Sequence, residues 1–273
     1  MSALRLHHAA TAVWRPLESL LFPARCWATG VPLKSDERML CQGAREQIAR
    51  GLLWPYCAGC GSTAGPGTRF DAGNPCPQCA TRDLGVERIV RVGTFDEPLR
   101  TLVTTLKFRG RWELARVLAP FVAQALQQAT LDGRLGRVDA LVPVALHWRR
   151  RLRRGFNQSE EIARALGHLT GWPVADVLWR RRATFEQSHT QSRTQRRENL
   201  RAAFVSTKPE RLAGKHVWLI DDVCTTGATL HAAAMALRRV PKDQRPAGIY
   251  AAVVCVTDHT AIPEPPLLPD LTP

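Results

Sequence analysis

The sequence lacks long apolar runs and is short of acidic residues. No stretch approaches the ~20 consecutive apolar residues that a helix needs to cross a bilayer. The segment Met1–Leu21 lacks the continuous apolar core and the small-residue cleavage site of a signal peptide, so we expect a cytoplasmic protein. Only 24 Asp and Glu residues oppose 38 Lys and Arg residues, which gives a formal net charge of +14. Such a surplus favours anionic partners: nucleic acid, polyphosphorylated metabolites or a membrane surface.

The cysteines are concentrated at the start of the chain, where six of the eight precede residue 80. Four of them form a C-x2-C-x15-C-x2-C array: Cys57, Cys60, Cys76 and Cys79. One C-x-x-C pair alone is equally typical of a redox dithiol, but two pairs at this spacing favour a closed, structural zinc site. Such a site would supply much of the folding free energy of this Gly- and Pro-rich segment.

Two further cysteines, Cys26 and Cys41, lack a partner at the knuckle spacing. Thr29 and Ala44 stand where the second cysteine of each pair would be. Two thiolates alone make a poor zinc site. We therefore expect Cys26 and Cys41 to be buried or free thiols.

The stretch His216–Thr229 (HVWLIDDVCTTGAT) has the pattern of a buried strand, an acidic pair and a small-residue turn, and an alanine-rich helix follows it. A turn at a helix start presents backbone N–H groups to an anion, so Thr225, Thr226, Gly227, Ala228 and Thr229 are the candidate phosphate site. Asp221 and Asp222 would repel phosphate and need hydroxyl donors or a cation instead. The pattern predicts a ribose 5-phosphate ligand. The alternative is an ordinary strand–helix turn with a solvated acid pair.

Elsewhere, candidate strands and helices alternate, which is typical of an α/β fold with a parallel, doubly wound sheet. The predicted strands are Ile89–Phe95, Val138–Val144, Val174–Trp179, His216–Ile220 and Ile249–Val256, and the predicted helices are Leu99–Lys107, Glu113–Gln128, Ser159–Leu169 and Leu230–Arg239. The predicted division is an N-terminal helix with a zinc-ribbon-like module (1–85), the α/β domain (86–258) and a disordered tail (259–273).

A second anion site is predicted in the loop after the strand Val138–Val144. His147–Gln158 has five arginines within six positions, and guanidinium groups match phosphate oxygens bidentately. A pyrophosphate is the favoured ligand, and a basic nucleic-acid patch or a solvated loop is the alternative. The polar, Arg-rich first half of the segment Gln187–Phe204 is predicted to be a mobile loop that could close over a ligand.

The central stretch resembles the signature by which type I phosphoribosyltransferases bind 5-phosphoribosyl 1-pyrophosphate (PRPP). The chain from about Leu21 to Val256 resembles the ComF family (ComFC/GntX type) of phosphoribosyltransferase-like proteins. The matching segments are the cysteine module, LKFRGRWELA at Leu106–Ala115, VPVALHWRRRLRRGFNQ at Val142–Gln158, RRENLRAAF at Arg196–Phe204 and the central stretch.

The resemblance implies a PRPP pocket in which Asp221 and Asp222 are the catalytic acids and Thr225–Thr229 bind phosphate. Lys107, Arg151 and Arg154 would also bind PRPP, and Mg²⁺ would accompany it. It also implies a role in natural transformation, with single-stranded DNA or a DNA-translocating competence protein as partner. The alternatives are an active Mg-dependent phosphoribosyltransferase of nucleotide metabolism with an unidentified acceptor, and an α/β domain kept only as a scaffold.

Overall fold

A computed structural model of the chain describes residues 23–65, 68, 70, 76–80, 83–131, 137–181 and 203–258. The chain divides into two compact units, Met1–Gln47 and Ile48–Pro273. The predicted helix before Pro23 and the predicted tail lie outside the described residues. The predicted domain boundary at residues 85 and 86 stays a prediction.

From residue 89 onward the chain contains both helices and strands, as the sequence predicts. In chain order they are α1 (Gln42–Leu53), β1 (Ile89–Thr94), α2 (Leu99–Phe108), α3 (Leu114–Leu131), β2 (Ala140–Pro143), α4 (Trp148–Arg154), α5 (Gln158–Thr170), β3 (Leu178–Arg180), β4 (Phe204–Ser206), β5 (His216–Cys224), α6 (Ala228–Arg238) and β6 (Gly248–Val256).

The centre of the larger unit is a parallel sheet. Within the described ranges it has four strands in the order β1-β6-β5-β2. β5 and β6 occupy the middle, and every residue of β6 is buried. α3 and α5 pack against each other and against the sheet, and the buried residues of α6 form one core cluster with Val217, Leu219, Ala251 and Val253 of the central strands. The predicted parallel α/β fold is thus confirmed, and the carboxyl ends of its strands are where such sheets bind ligands.

The predicted strand Val174–Trp179 is wrong as a single strand. Val174 makes only an isolated parallel bridge to Leu141. The chain then turns away, and β3 pairs antiparallel with β4 in a separate two-stranded ribbon. Hydrophobic periodicity can indicate a strand but cannot identify its pairing partner, and here the partner of β3 is β4 and not the main sheet. No helix in the described part of the chain is long and apolar enough to span a membrane.

Candidate functional site

The end of β5 and the turn after it form the first part of the site. β5 continues to Cys224 instead of ending at Ile220, so both acids lie within the strand. Thr225 and Thr226 are exposed, and Gly227 is buried with a φ of 78°, a left-handed conformation that glycine adopts without strain. α6 begins at the next residue, Ala228, whose backbone N–H donates a long hydrogen bond of 3.5 Å to Thr226 Oγ1. Its first-turn N–H groups face the turn, which suits a phosphate.

The two acids have different partners. Asp221 Oδ1 accepts a hydrogen bond from Ser159 Oγ at 2.8 Å and another from Asp222 N at 3.0 Å. Asp222 is buried, and its Oδ1 lies 2.9 Å from the Lys107 ammonium nitrogen. The carboxylates therefore belong to one site, but each is held by a separate helix: Asp221 by α5 and Asp222 by α2.

The surroundings of Asp221 disfavour its charged form. Burial, followed by the charge of Asp222, raises the pKa of Asp221 to about 7, and the hydrogen bond from Ser159 only partly opposes this. The carboxyl group is thus divided between its protonated and ionised forms near neutral pH. A ligand that brings hydroxyl donors or a cation to Asp221 would favour the ionised form.

The arginine-rich segment after β2 is not a loop, which corrects the sequence prediction. Residues 148–154 form the helix α4, because arginine and leucine are good helix formers and both ends carry capping residues. The His147 side chain accepts a hydrogen bond from the Arg149 backbone at its start, and Gly155 closes it in the left-handed conformation with a φ of 84°.

Arg151 and Arg154 are held at the C-terminal end of α4 by groups of neighbouring helices. Arg151 forms an ion pair of 3.2 Å with the buried Glu160 of α5. Arg154 donates a hydrogen bond of 3.2 Å to Gln158 and packs 5.0 Å from the centre of the Phe108 ring. Phe108 follows Lys107 directly in α2. These contacts bring both arginines to the helix ends that hold the two acids.

The predicted site residues therefore converge at the carboxyl end of β5. Ser159, which the sequence analysis did not select, connects α5 to Asp221. A signal existed: Ser159 follows Asn157 and Gln158, just after an Arg-Gly turn and before two acids, where a helix begins. Asn157 is also buried, and its amide donates to Val144 O at 3.1 Å, which fixes the start of α5 against the end of β2.

Three exposed aromatic rings each have an arginine across them: Phe108 on α2, Trp112 in the turn between α2 and α3, and Trp148 on α4. Arg154 lies over Phe108, Arg116 over Trp112 at 5.3 Å and Arg149 over Trp148 at 5.2 Å. Phe108 is 65% exposed and Trp148 46% exposed. We call these six residues the arginine–aromatic surface. Positive charge beside exposed rings is the combination on which nucleic-acid bases stack.

The four predicted metal ligands form one cluster. The sulfurs of Cys57, Cys60, Cys76 and Cys79 all lie within 4.8 Å of one another. The Cys57–Cys79 and Cys60–Cys76 distances are 3.5 and 3.7 Å. Tetrahedral zinc with Zn–S bonds of about 2.3 Å requires sulfurs about 3.8 Å apart. The arrangement can therefore hold a metal ion in a closed site.

The chemistry of the donor set fits the same use. The hydrogen bond with Cys57 lowers the pKa of Cys60 to about 4 in spite of burial, and the same bond raises the pKa of Cys57. Deprotonation of Cys60 is thus favoured, and the thiolate is the form that binds metals. Gly59 leaves room for the sulfur cluster, because a Cβ at this position would lie 3.2 Å from the Cys79 sulfur.

The first knuckle of this cluster has a close counterpart around Cys26. Gly61 N donates to Cys57 O at 2.7 Å and Cys57 N to Ser62 O at 2.8 Å. In the other unit, Gly30 N donates to Cys26 O at 2.8 Å and Cys26 N to Val31 O at 2.8 Å. Gly30 and Gly61 both have a positive φ, 74° and 79°. The backbone of a metal knuckle is therefore present twice.

In the Cys26 copy, a threonine replaces the second thiolate. Thr29 Oγ1 lies 3.6 Å from the Cys41 sulfur. Burial raises the pKa of Cys26, but hydrogen bonds from the Thr29 hydroxyl and from nearby backbone groups outweigh it, so the pKa falls to about 7. Cys26 is buried and Cys41 half-buried, as expected for thiols without a metal partner set. The predicted closing loop, Gln187–Phe204, lies outside the described residues up to position 202.

Comparisons with known proteins place the chain among related sequences. The family model described as "Phosphoribosyl transferase domain" matches residues 152–265. The chain is 34% identical to the DNA utilization protein YhgH of Salmonella typhi over 222 residues, which is 81% of this chain and 93% of the relative. It is 30% identical to Competence protein F of Haemophilus influenzae, covering 82% and 94%, and 27% identical to Competence protein ComFC of Bacillus subtilis, covering 77% and 82%.

Proposed function

Because the chain belongs to the ComF family of phosphoribosyltransferase-like proteins, we propose that it binds PRPP and acts in the uptake and handling of single-stranded DNA. The observation that carries the proposal is the convergence at the end of β5. There a phosphate-binding turn, two held carboxylates and a lysine lie together at the ligand-binding edge of a parallel sheet.

Each part of the site has a role that its chemistry supports. Thr225–Thr229 bind the 5-phosphate through backbone N–H and hydroxyl groups. Asp221 and Asp222 accept hydrogen bonds from the ribose hydroxyls. The cationic side chains of Lys107, Arg151 and Arg154 lie on the helices around the acids and bind the pyrophosphate. Mg²⁺ bound with the ligand would neutralise charge on the pyrophosphate oxygens.

The cysteine cluster is proposed as a structural zinc site. Its four sulfurs fill a tetrahedral coordination sphere, which leaves no open position for a substrate. The cluster is tied to the sheet, because Ile89 N at the start of β1 donates to Ala58 O within the first knuckle at 2.7 Å. The metal would hold the module against β1.

The DNA-related part of the proposal is supported by the names of the relatives, which refer to DNA utilization and competence, and by the arginine–aromatic surface. This surface adjoins the site, because Arg154 and Phe108 belong to both. Its partner is single-stranded DNA or a competence protein that translocates it. The net charge of +14 favours such a partner.

Calorimetric titration of PRPP with Mg²⁺ tests the pocket. The wild-type protein is expected to bind, and Asp221→Asn/Asp222→Asn is expected to lose at least about tenfold in affinity, since carboxylates accept stronger hydrogen bonds than amides. Asp243→Asn, an exposed acid before β6, is the matched control. Equal PRPP binding by all three proteins would contradict the proposal. Pyrophosphate release after addition of a nucleobase would instead identify an active phosphoribosyltransferase.

Fluorescence anisotropy with a labelled thymidine oligonucleotide of about 20 nucleotides tests the DNA part. Binding is expected to weaken steeply between about 50 and 200 mM salt. Trp148→Ala/Arg149→Ala should weaken it about tenfold, because stacking contributes roughly 1–3 kcal/mol per base. Arg238→Ala, which removes an exposed charge from α6, should have a much smaller effect. No binding at low salt, or no difference between the variants, would contradict a role for this surface.

A further inference from the structure

A second cavity lies along the outer edge of β1 and has a volume of about 640 Å³. It is enclosed by the end of α1 and the following segment, by the cysteine module and by the C-terminal half of α3. This volume is within the usual range for small-ligand sites. No PRPP-site residue lines it, so the cavity is a separate site.

The cavity is lined by a buried arginine with unused hydrogen-bond donors. Arg91 of β1 is 2% exposed, and its Nη2 donates to Thr63 Oγ1 at 3.0 Å. Among the described residues, its Nε and Nη1 have no hydrogen-bond partner. Burial lowers the pKa of Arg91 to about 10, so it still carries a charge at neutral pH. The carboxylate of Asp258 acts on this charge from a distance and accepts a hydrogen bond from Thr63 N.

Buried donors without partners are costly, and a buried guanidinium most of all. An anion in the cavity would supply the missing acceptors. Arg88, which is exposed just before the same strand, adds a second positive charge to the lining. The cationic part of the cavity thus fits a phosphate group.

The rest of the lining is aromatic and apolar. Trp54, Tyr56 and Phe70 contribute rings, and the Tyr56 ring lies 5.0 Å from the Arg91 guanidinium carbon. Inorganic phosphate would leave these rings without contacts, and an apolar ligand would leave Arg91 without acceptors. A planar, heteroaromatic ring joined to a phosphate satisfies both parts, with Gln128 and Thr68 available for its polar edge.

We propose that this cavity binds a nucleoside monophosphate group, with the phosphate at Arg91 and the base among Trp54, Tyr56 and Phe70. The group is either a free nucleotide or the 5′-phosphorylated end of a nucleic-acid strand.

Arg91 and Asp221 both pair with Val253 of β6, one from each side. Their Cα atoms are therefore about 10 Å apart, two strand spacings, with β6 between them.

The test uses the full chain carrying Asp221→Asn/Asp222→Asn, in which the proposed PRPP pocket no longer competes for ribose 5-phosphate, and calorimetric titration with AMP, adenosine and ribose 5-phosphate. AMP is expected to bind at least tenfold more tightly than either fragment, since only AMP satisfies both halves of the cavity. Arg91→Gln should lose at least tenfold in AMP affinity, while Arg88→Gln should lose less. Gln128→Trp, which fills the cavity from a half-buried position on α3, gives a second variant in case Arg91→Gln does not fold.

Two further measurements locate the ligand. Asp221→Asn/Asp222→Asn is expected to keep its AMP affinity, and Gln128→Trp to keep its PRPP affinity. AMP binding that survives Gln128→Trp but is lost in the aspartate variant would overturn the proposal, because the nucleotide would then occupy the PRPP pocket. No AMP binding by the wild-type protein at millimolar concentration, together with equal binding of 5′-phosphorylated and 5′-hydroxyl oligonucleotides, would also overturn it.

The same variants distinguish the two sources of the group. If a strand end is the ligand, a 5′-phosphorylated oligonucleotide binds more tightly than the same strand with a 5′-hydroxyl, and Arg91→Gln abolishes the difference. If free nucleotide is the ligand, AMP competes poorly with the oligonucleotide and the 5′-phosphate has no effect.

Discussion

The ammonium nitrogen of Lys107 lies 2.9 Å from Asp222 Oδ1, where the Asp222 side chain is only 9% exposed and that of Lys107 21% exposed. This pair connects the end of α2 to the middle of the sheet. It places an ammonium group beside a buried carboxyl group, where an unpaired charge would be costly. A ligand that uses Asp222 must either share Lys107 or displace it, so the pair controls access to the second acid.

Lys107→Met is expected to lower the free energy of unfolding by about 2 kcal/mol. This is less than the roughly 3–5 kcal/mol for a fully buried pair, because Lys107 is partly exposed. In a Lys107→Met/Asp222→Asn double variant the loss should be smaller than the sum of the two single losses. Urea denaturation of all four proteins measures the coupling. Strictly additive effects would show that the pair contributes nothing to stability.

The affinity for PRPP is expected to rise with pH as Asp221 ionises. The pKa of Asp221 is raised to about 7, so below pH 7 the carboxyl group is mainly protonated and cannot accept two hydroxyl hydrogen bonds. Because the ligand selects the ionised form, binding should release a proton between about pH 5 and 7. Calorimetry in buffers of different ionisation enthalpy measures the release.

Asp221→Asn is the control for this pH effect, since its amide does not titrate in this range. Ser159→Ala should move the rise in PRPP affinity to higher pH, because loss of the Ser159 hydrogen bond favours the protonated form of Asp221. An affinity profile that is the same for wild-type protein and Asp221→Asn would exclude Asp221 as the titrating group.

The sequence predicted the elements that repeat a strong local pattern. The apolar runs at Ile249–Val256 and His216–Ile220 are buried strands, and the C-x-x-C pairs come together, because both signals are contained within a few residues. The glycine of the small-residue turn has the left-handed conformation that such a turn requires.

What the sequence did not reveal depends on contacts between distant segments. Arg151 and Arg154 were assigned to a loop because consecutive charges have no apolar periodicity, whereas helix propensity and the caps at His147 and Gly155 produce α4. The contact between Ser159 and Asp221 joins residues 62 positions apart. The partners of Lys107 and of the buried Arg91 are likewise set by the packing of separate elements, which no local pattern specifies.

Removal of the metal is expected to loosen the edge of the sheet. Ile89 N of β1 donates to Ala58 O between Cys57 and Cys60, and Gly61 packs against Ile89 and Val256. In Cys76→Ser the amide of Ile89 should therefore exchange with solvent at least about tenfold faster, while amides in the middle of β5 keep their protection. Hydrogen exchange, combined with elemental analysis for zinc, provides the measurement.

Cys41→Ser is the matched control, because Cys41 lies outside the cluster and its replacement should leave both the zinc content and the exchange of Ile89 unchanged. A Cys76→Ser protein that keeps a full equivalent of zinc would contradict the proposed ligand set.

The knuckle around Cys26 is expected to bind a metal once its missing thiols are restored. Its backbone hydrogen bonds match those of the Cys57 knuckle, and the Thr29 hydroxyl already lies 3.6 Å from the Cys41 sulfur. In Thr29→Cys/Ala44→Cys, the two introduced thiols and those of Cys26 and Cys41 make a set of four. This set should bind a second equivalent of zinc. The readout is the zinc-to-protein ratio after metal loading and desalting, which should rise from one to two.

The single variant Thr29→Cys distinguishes zinc binding at this site from non-specific binding of zinc to thiols. Thr29→Cys alone offers three thiols and should bind the second zinc at least about tenfold more weakly than the double variant, since it leaves one position of the tetrahedron to water. Cobalt substitution reports the geometry, because four thiolates and three thiolates with water differ in their charge-transfer absorption. A double variant that stays at one zinc per chain would contradict this prediction. It would show that the buried position of Ala44, at the start of α1, does not direct a side chain towards Cys26. The resemblance between the two knuckles would then be limited to their backbone.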